Sequence, residues 1–344
     1  MYKRQPSVIE TPVLPDFTNL INVADDRLGA KALFASDEFF AVKERILNAE
    51  PAVFIVGKYD DNGKWMDGWE TRRKRHLGND YLVIKLAKPA KIQGFDIDTS
   101  NFTGNFPPAC QIEGIKLEQA NDNENADFWT QQSWQPLTNM VSLQGNSHHY
   151  IASENTDSVI THIRLSIYPD GGVARLRVYG EIVFAETTDS QGDIDLVSAL
   201  NGGQAIAWND AHFGKASNLL LPNKAPNMGE GWETRRRREP GNDWCILKLG
   251  QAGIVNKIMV DTAFFKGNFP DKVSIQAVYA PDLPRQALIT QSMFWETLLE
   301  SQQLSADSMH EFNEIVLKKP ITHVRVNIFP DGGISRIKLF GKIA

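Results

Sequence analysis

The chain repeats itself, and this constrains its fold more than any other feature. Residues 68–75 read GWETRRKR and residues 231–238 read GWETRRRR, 163 positions later. The same spacing pairs Gly78-Asn79-Asp80 with Gly241-Asn242-Asp243, and Asp98-Thr99 with Asp261-Thr262. It also pairs Gly104-Asn105-Phe106-Pro107 with Gly267-Asn268-Phe269-Pro270. THIRLSIYPDGG at 161–172 returns as THVRVNIFPDGG at 322–333, a spacing of 161. Upstream, SDEFFA at 36–41 aligns with NDAHFG at 209–214, a spacing of 173. The first copy therefore holds ten extra residues between Ala41 and Gly68. They include KYDDNGK at 58–64, which is surface-loop chemistry.

Each copy is about 150 residues, the size of one domain. The expected division is an extended arm over 1–19 with Pro6, Pro12 and Pro15, a first repeat over 20–185, a polar linker over 186–191 and a second repeat over 192–344. Strand patterns dominate. Residues 81–86 and 244–249 are short apolar runs after a Gly-Asn-Asp turn. In 161–168, Ile163, Leu165 and Ile167 alternate with His162, Arg164, Ser166 and Tyr168. A Pro-Asp-Gly-Gly turn follows, and 173–179 alternates again, which predicts an antiparallel hairpin in each copy. Helical patterns are confined to 39–48 and 194–200. Many short strands with few helices imply an all-β chain with a sandwich or barrel in each copy.

Composition narrows the function classes. The net charge of −6 fits poorly with broad binding to nucleic acid or anionic membranes. No apolar run approaches the roughly 20 residues of a membrane span. Residues 1–16 lack the apolar core of a secretory signal. Two cysteines exclude a disulfide framework. A cytoplasmic, soluble protein is expected.

GWETRRKR, DTSNFTGNFPP, THIRLSIYPDGG and their second-copy partners resemble the allantoicase family, in order, in duplicate and over nearly the whole chain. The resemblance implies a tandem duplication of two jelly-roll β-sandwich domains, galactose-binding or discoidin-like, in a homo-oligomer. It implies hydrolysis of allantoate to ureidoglycolate and urea in purine catabolism, a reaction at a C–N bond of a linear amidine. No cofactor is expected, with a divalent metal such as Mn left open.

Allantoate is a carboxylate whose adjacent carbon bears two ureido groups. Cleaving one C–N bond calls for a cationic clamp, an acid for the departing urea and a base for water. Arginine matches a carboxylate bidentately. Arg72 or Arg73, and Arg235 or Arg236, are the candidate clamps, with Glu70 or Glu233 orienting the arginine or moving a proton. Alternatively, glutamate and arginine pair to hold a loop. Asp98 or Asp261 is the candidate base, or else caps the turn that follows it. Asn105 and Asn268 join the substrate-binding candidates. His162 with Arg164, and His323 with Arg325, share a strand face and are candidates for acid and anion binder, or for an outward sandwich face or a face packed against the sister domain.

Other features carry less. Asp170 suits a turn, and Asp80 and Asp243 suit the start of a strand. Asp37-Glu38 and Asp210-Ala211 mark diverged loops. His148-His149 has no evident counterpart and no metal-ligand spacing beside it. Cys110 and Cys245 are not repeat equivalents and read as buried thiols. There is no Gly-rich phosphate loop, G-x-S-x-G or H-E-x-x-H. Two other classes compete with the hydrolase: a non-catalytic tandem carbohydrate- or anion-binding module, and an assembly protein whose polar faces form contacts. The repeated Glu-Thr-Arg-Arg favours an anionic ligand over a neutral sugar.

Overall fold

The computed structural model describes residues 14–117, 122–183 and 192–344. The expected linker 186–191 and residues 1–13 of the expected arm lie outside them. Within the rest of the arm, Asp16–Asn19 is a 3-10 turn and not extended chain. Phe17 packs there on the bare backbone of Gly94 and against Tyr179.

Both repeats are β-sandwiches with the same strand order. In the first, Ile21–Asn22, Arg175–Ile182, Asp80–Asp98, Val159–Tyr168 and Ala109–Ile115 lie side by side. In the second, Ile194–Asp195, Arg336–Ile343, Asp243–Asp261, Ile321–Phe329 and Lys272–Val278 follow the same order. The organising element is one strand of 19 residues in each, Asp80–Asp98 or Asp243–Asp261. At about 3.3 Å per residue it is too long for a single layer of a small domain. Its first part pairs with Val159–Tyr168 and its second part with Arg175–Ile182, so one strand serves both layers.

Alternation fills the space between the layers. Leu82, Ile84, Phe95, Ile97, Ile163, Leu165, Leu176 and Val178 meet in one buried cluster. Burying each such side chain stabilises the fold by roughly 1.5–3 kcal/mol. The second repeat builds the matching cluster from Leu247, Ile258, Val260, Val324, Val326 and Leu339. Leu28, from the first repeat, lies in this second core. Beside it, Arg27 donates to Asn218 Oδ1 at 3.1 Å and Asn223 donates to the Arg27 carbonyl at 3.4 Å.

Two sequence expectations are corrected. Residues 161–179 do not form a hairpin: Val159–Tyr168 and Arg175–Ile182 both flank the long strand and do not pair with each other. The Pro-Asp-Gly-Gly turn carries the chain from one layer to the other, and the second repeat does the same. Of the helical pattern at 39–48, only the 3-10 turn Lys43–Leu47 forms. Residues 194–200 divide between the strand Ile194–Asp195 and the start of the 3-10 turn Ala199–Asn201. Among the described residues the α-helices are Ala126–Thr130 and Arg285–Gln291, and no helix is long and apolar enough to cross a membrane.

Candidate functional site

The Trp-Glu-Thr-Arg-Arg segment is pinned along its length. Fully buried Trp69 and Trp232 donate their indole N–H to the carbonyls of Asp37 and Asp210, at 2.8 and 2.9 Å. Glu70 pairs in register with Gly172, and Glu233 with Gly333. The Thr71 N–H donates to the Gly171 carbonyl at 3.1 Å, and the Gly171 N–H donates to Thr71 Oγ1 at 3.1 Å. Thr234 and Gly332 repeat both bonds at 3.1 Å. The Asp170 carboxylate accepts from the Lys74 N–H at 2.7 Å, and Asp331 from the Arg237 N–H at 2.8 Å.

This close docking explains the repeated glycines. Gly171 and Gly332 have φ of 140° and 134°, and a Cβ would come within 2.6 Å of the Pro107 nitrogen or 2.7 Å of the Asn268 carbonyl. The far end of the segment is fastened by ion pairs, Lys74–Asp80 at 2.6 Å and Arg237–Asp243 at 2.9 Å. Asp80 and Asp243 are buried and also accept from Ser36 and Asn209, so they anchor the loop.

This frame presents a glutamate and an asparagine to each other. Asn105 Nδ2 donates to Glu70 Oε1 at 2.7 Å, and Asn268 Nδ2 donates to Glu233 Oε1 at 2.6 Å. Burial pushes the Glu70 carboxyl above its ordinary value; the Asn105 hydrogen bond opposes this, Asp60 adds to it and Lys64 opposes it. In the second repeat the pair lines a cleft of about 370 Å³ with Arg236, Phe213, Phe269 and Asp331. That volume lies at the small end of ligand pockets, about 300–1,000 Å³. At the corresponding positions the first repeat carries Glu70, Asn105, Arg73, Phe40, Phe106 and Asp170.

The arginines divide into two kinds. Arg72 is held by Asp37, with Nε at 2.7 Å and the ion pair at 2.6 Å, and lies over Phe39. Arg235 pairs with Asp210 at 3.2 Å. Arg73 and Arg236 are exposed, and among the described residues neither is engaged in an ion pair or side-chain hydrogen bond. The glutamate of the motif pairs with asparagine, not with an arginine of its own segment.

The other candidates are not brought to this cluster. Asp98 Oδ1 accepts from the Ser100 N–H at 2.7 Å and Asp261 Oδ1 from the Ala263 N–H at 2.8 Å, so each caps the loop after it. Asp261 does not line the second-repeat cleft. His162 is fully buried, with its ring 5.5 Å from that of Trp129. It stands five positions before Ile167, about 17 Å along the strand from the end that pairs with Asp80. His323 is buried near Trp295, and the loss of water pushes its imidazole down to about 4. Arg164 pairs with Glu113 at 2.6 Å and stacks on Trp134. Arg325 donates to Ser292 Oγ at 2.6 Å and to Asn327, and stacks on Trp244. The polar face of this strand is thus a second packing surface, covered by the helical segments of 126–130 and 285–291.

Sequence reasoning missed two partnerships. Asp37 and Asp210 perform the same task despite their different neighbours, and the 173-residue spacing already aligned them. His149 does have a counterpart: His149 and His310 each bond a strand carbonyl through Nδ1, at 2.9 and 3.1 Å, and accept a backbone N–H at Nε2. Both cysteines are free and buried, and burial pushes the Cys110 thiol up to about 12. Among the described residues no three His, Cys, Asp or Glu side chains converge to hold a metal ion.

Comparison with known proteins agrees with this duplicated geometry. A family model described as the allantoicase repeat matches twice, over residues 21–183 and 194–344. A probable allantoicase of Burkholderia mallei is 53% identical over 338 residues, covering 97% of this chain and 98% of that protein. One of Ralstonia nicotianae is 53% identical over 335 residues, covering 96% and 98%. The crystal structure of allantoicase from Saccharomyces cerevisiae superposes with a TM-score of 0.79 at 33% identity, covering 94% of this chain and 93% of that one. With the repeat matched across both sandwiches, the chain belongs to the allantoicase family.

Proposed function

We propose that this protein hydrolyses allantoate to ureidoglycolate and urea, and that the Glu-Asn-Arg cluster of each repeat performs the chemistry. The observation that carries the assignment is the duplicated pair, Asn105–Glu70 and Asn268–Glu233; in the second repeat it shares its cleft with Arg236, which has no ion-pair partner among the described residues, and Arg73 holds the corresponding position in the first. Family membership supports the reaction, and an anionic substrate suits the cation at the cleft. The non-catalytic binding module is not favoured.

In this reading Arg73 and Arg236 grip the carboxylate of allantoate through a bidentate pair. The asparagine holds the glutamate in one rotamer. The glutamic acid donates its proton to the nitrogen of the departing urea as the C–N bond breaks. The resulting carboxylate then takes a proton from water, whose oxygen adds to the carbon left electron-poor. Allantoate and one water thus become ureidoglycolate and urea, with the glutamic acid regenerated. Burial of Glu70 favours the protonated form that this sequence begins with. Asp98 and Asp261 act in this scheme through the loops they cap.

In this reading the reaction is a cytoplasmic step of allantoin breakdown. The exposed apolar run of Val53, Phe54, Ile55 and Val56 is a surface that suits a homo-oligomer.

Urea release from allantoate by purified protein tests the reaction, with allantoin and ureidoglycolate as parallel substrates. Glu70→Gln combined with Glu233→Gln is expected to lower kcat by about 10²–10⁴-fold. Arg73→Ala with Arg236→Ala is expected to act chiefly on KM. Near wild-type kcat in the double glutamine variant would refute the assignment. The same assay after dialysis against a chelator tests whether these side chains act without a cofactor.

A further inference from the structure

The two sites differ in one built element. Upstream, the repeats correspond through the 3-10 turns Lys43–Leu47 and Ala216–Leu220. The Glu50 carbonyl accepts from Arg175 at 2.9 Å, just as the Asn223 carbonyl accepts from Arg336 at 2.7 Å. Downstream, Asp67 pairs with Arg175 and Glu230 with Arg336. Between these fixed points the ten extra residues of the first repeat fold into the hairpin Tyr59–Asp60 with Gly63–Lys64. Its base is held by Trp65, which lies beneath the Lys58 ammonium at 3.6 Å and beside the Arg45 guanidinium at 5.1 Å.

The hairpin leans on the first-repeat site. A Cβ on Gly63 would lie 3.7 Å from the Phe40 ring. Phe40 donates its N–H to the Glu70 carbonyl, and its counterpart Phe213 walls the second-repeat cleft. Asp60 and Lys64 are both near enough to Glu70 to act on its charge. Lys64 is exposed and lies over the face of Phe54, and among the described residues no carboxylate neutralises it. In the second repeat Met228 stands where the first has Trp65, with its sulfur 3.4 Å from Asn268 Nδ2, and among the described residues of that repeat no hairpin precedes it.

Resting on the function proposed above, we propose that the hairpin makes the sites unequal: it brings Lys64 to the first-repeat site as a second cation for the substrate carboxylate, so the KM of this site, and not that of the second, depends on Lys64. An ammonium on an exposed hairpin interacts through a water-screened field, so its effect is modest and falls as salt rises.

The test reads each site with the other disabled. Urea release is followed for Glu233→Gln and Glu70→Gln, each with and without Lys64→Ala. Lys64→Ala is expected to raise KM about fivefold more in the Glu233→Gln background than in the Glu70→Gln background, with kcat little moved. Lys64→Arg should recover most of the loss, and 0.5 M salt should shrink it. Equal effects in the two backgrounds would overturn the proposal, as would a Glu233→Gln protein with no turnover. If wild-type protein releases no urea from allantoate, the function itself fails. A thermal-shift titration with allantoate on the same variants then still reads the hairpin: a Lys64→Ala effect confined to Glu233→Gln supports it, and equal shifts refute it.

Discussion

Gly333→Ala is the sharpest test of how the fold positions Glu233. Gly333 pairs in register with Glu233, and its α-carbon lies against the edge of Phe265, whose ring is fully buried. An added methyl would stand 1.9 Å from Phe265 Cε1 and 2.1 Å from Cδ1. Carbon atoms pack comfortably at about 3.5–4.0 Å, so ring or strand must yield by more than about an ångström. Overpacking of this kind costs typically 1–3 kcal/mol, and the lack of space around Phe265 places the expected cost near about 3 kcal/mol. For a unit of 150–250 residues that is a fall in Tm of roughly 6–12 °C. Denaturant unfolding followed by tryptophan fluorescence reads the cost, and urea release reads the displaced Glu233. Gly172→Ala meets Phe102 at 2.0 Å and should behave alike in the first repeat. Gly267→Ala, where nothing lies within 4 Å of the new methyl, is the control on the same site. Shrinking the ring with Phe265→Leu should restore part of the stability of Gly333→Ala. A Gly333→Ala protein within about 0.5 kcal/mol of wild type, the ordinary range for surface changes, would refute the argument.

Two further outcomes follow from buried polar groups. Lys74→Met leaves the Asp80 carboxylate buried without its cation, so a loss of about 3–5 kcal/mol is expected in urea denaturation, with part recovered by adding Asp80→Asn; a loss under about 1 kcal/mol would show that Asp80 is not held by this pair. His323 is held down to about 4 against an ordinary 6.5, so the unfolded chain takes up its proton first as pH falls. Stability is therefore full above about 6.5 and declines towards pH 4 by roughly 3 kcal/mol, and His323→Gln should flatten this decline. Identical pH slopes for the two proteins would contradict it.

Much of the architecture was legible because duplication and period-two alternation are properties of the sequence itself. The 163-residue spacing aligns both Glu-Asn pairs, and both arginines that have no ion-pair partner among the described residues, from the sequence alone. The hairpin expected over 161–179 failed for a physical reason. Pro-Asp-Gly-Gly reverses a chain equally well within one layer or between two, and only the 19-residue strand decides between them. The burial of His162 and His323 was not legible because a polar strand face looks the same whether water or a tryptophan covers it, and the covering helices are only five and seven residues long. Asp98 and Asp261 are of a type that serves equally as a base or as a turn cap. Asp37 and Asp210 were hidden by the contrast between Glu38 and Ala211 beside them.

Leu28 sits within the second core although it belongs to the first copy, and Arg27 beside it grips Asn218. The second copy thereby borrows a side chain from the first. A gene broken between them would encode one half with a leucine-sized hole and another with an apolar side chain left in water. The stability of the second copy is therefore tied to the presence of the first.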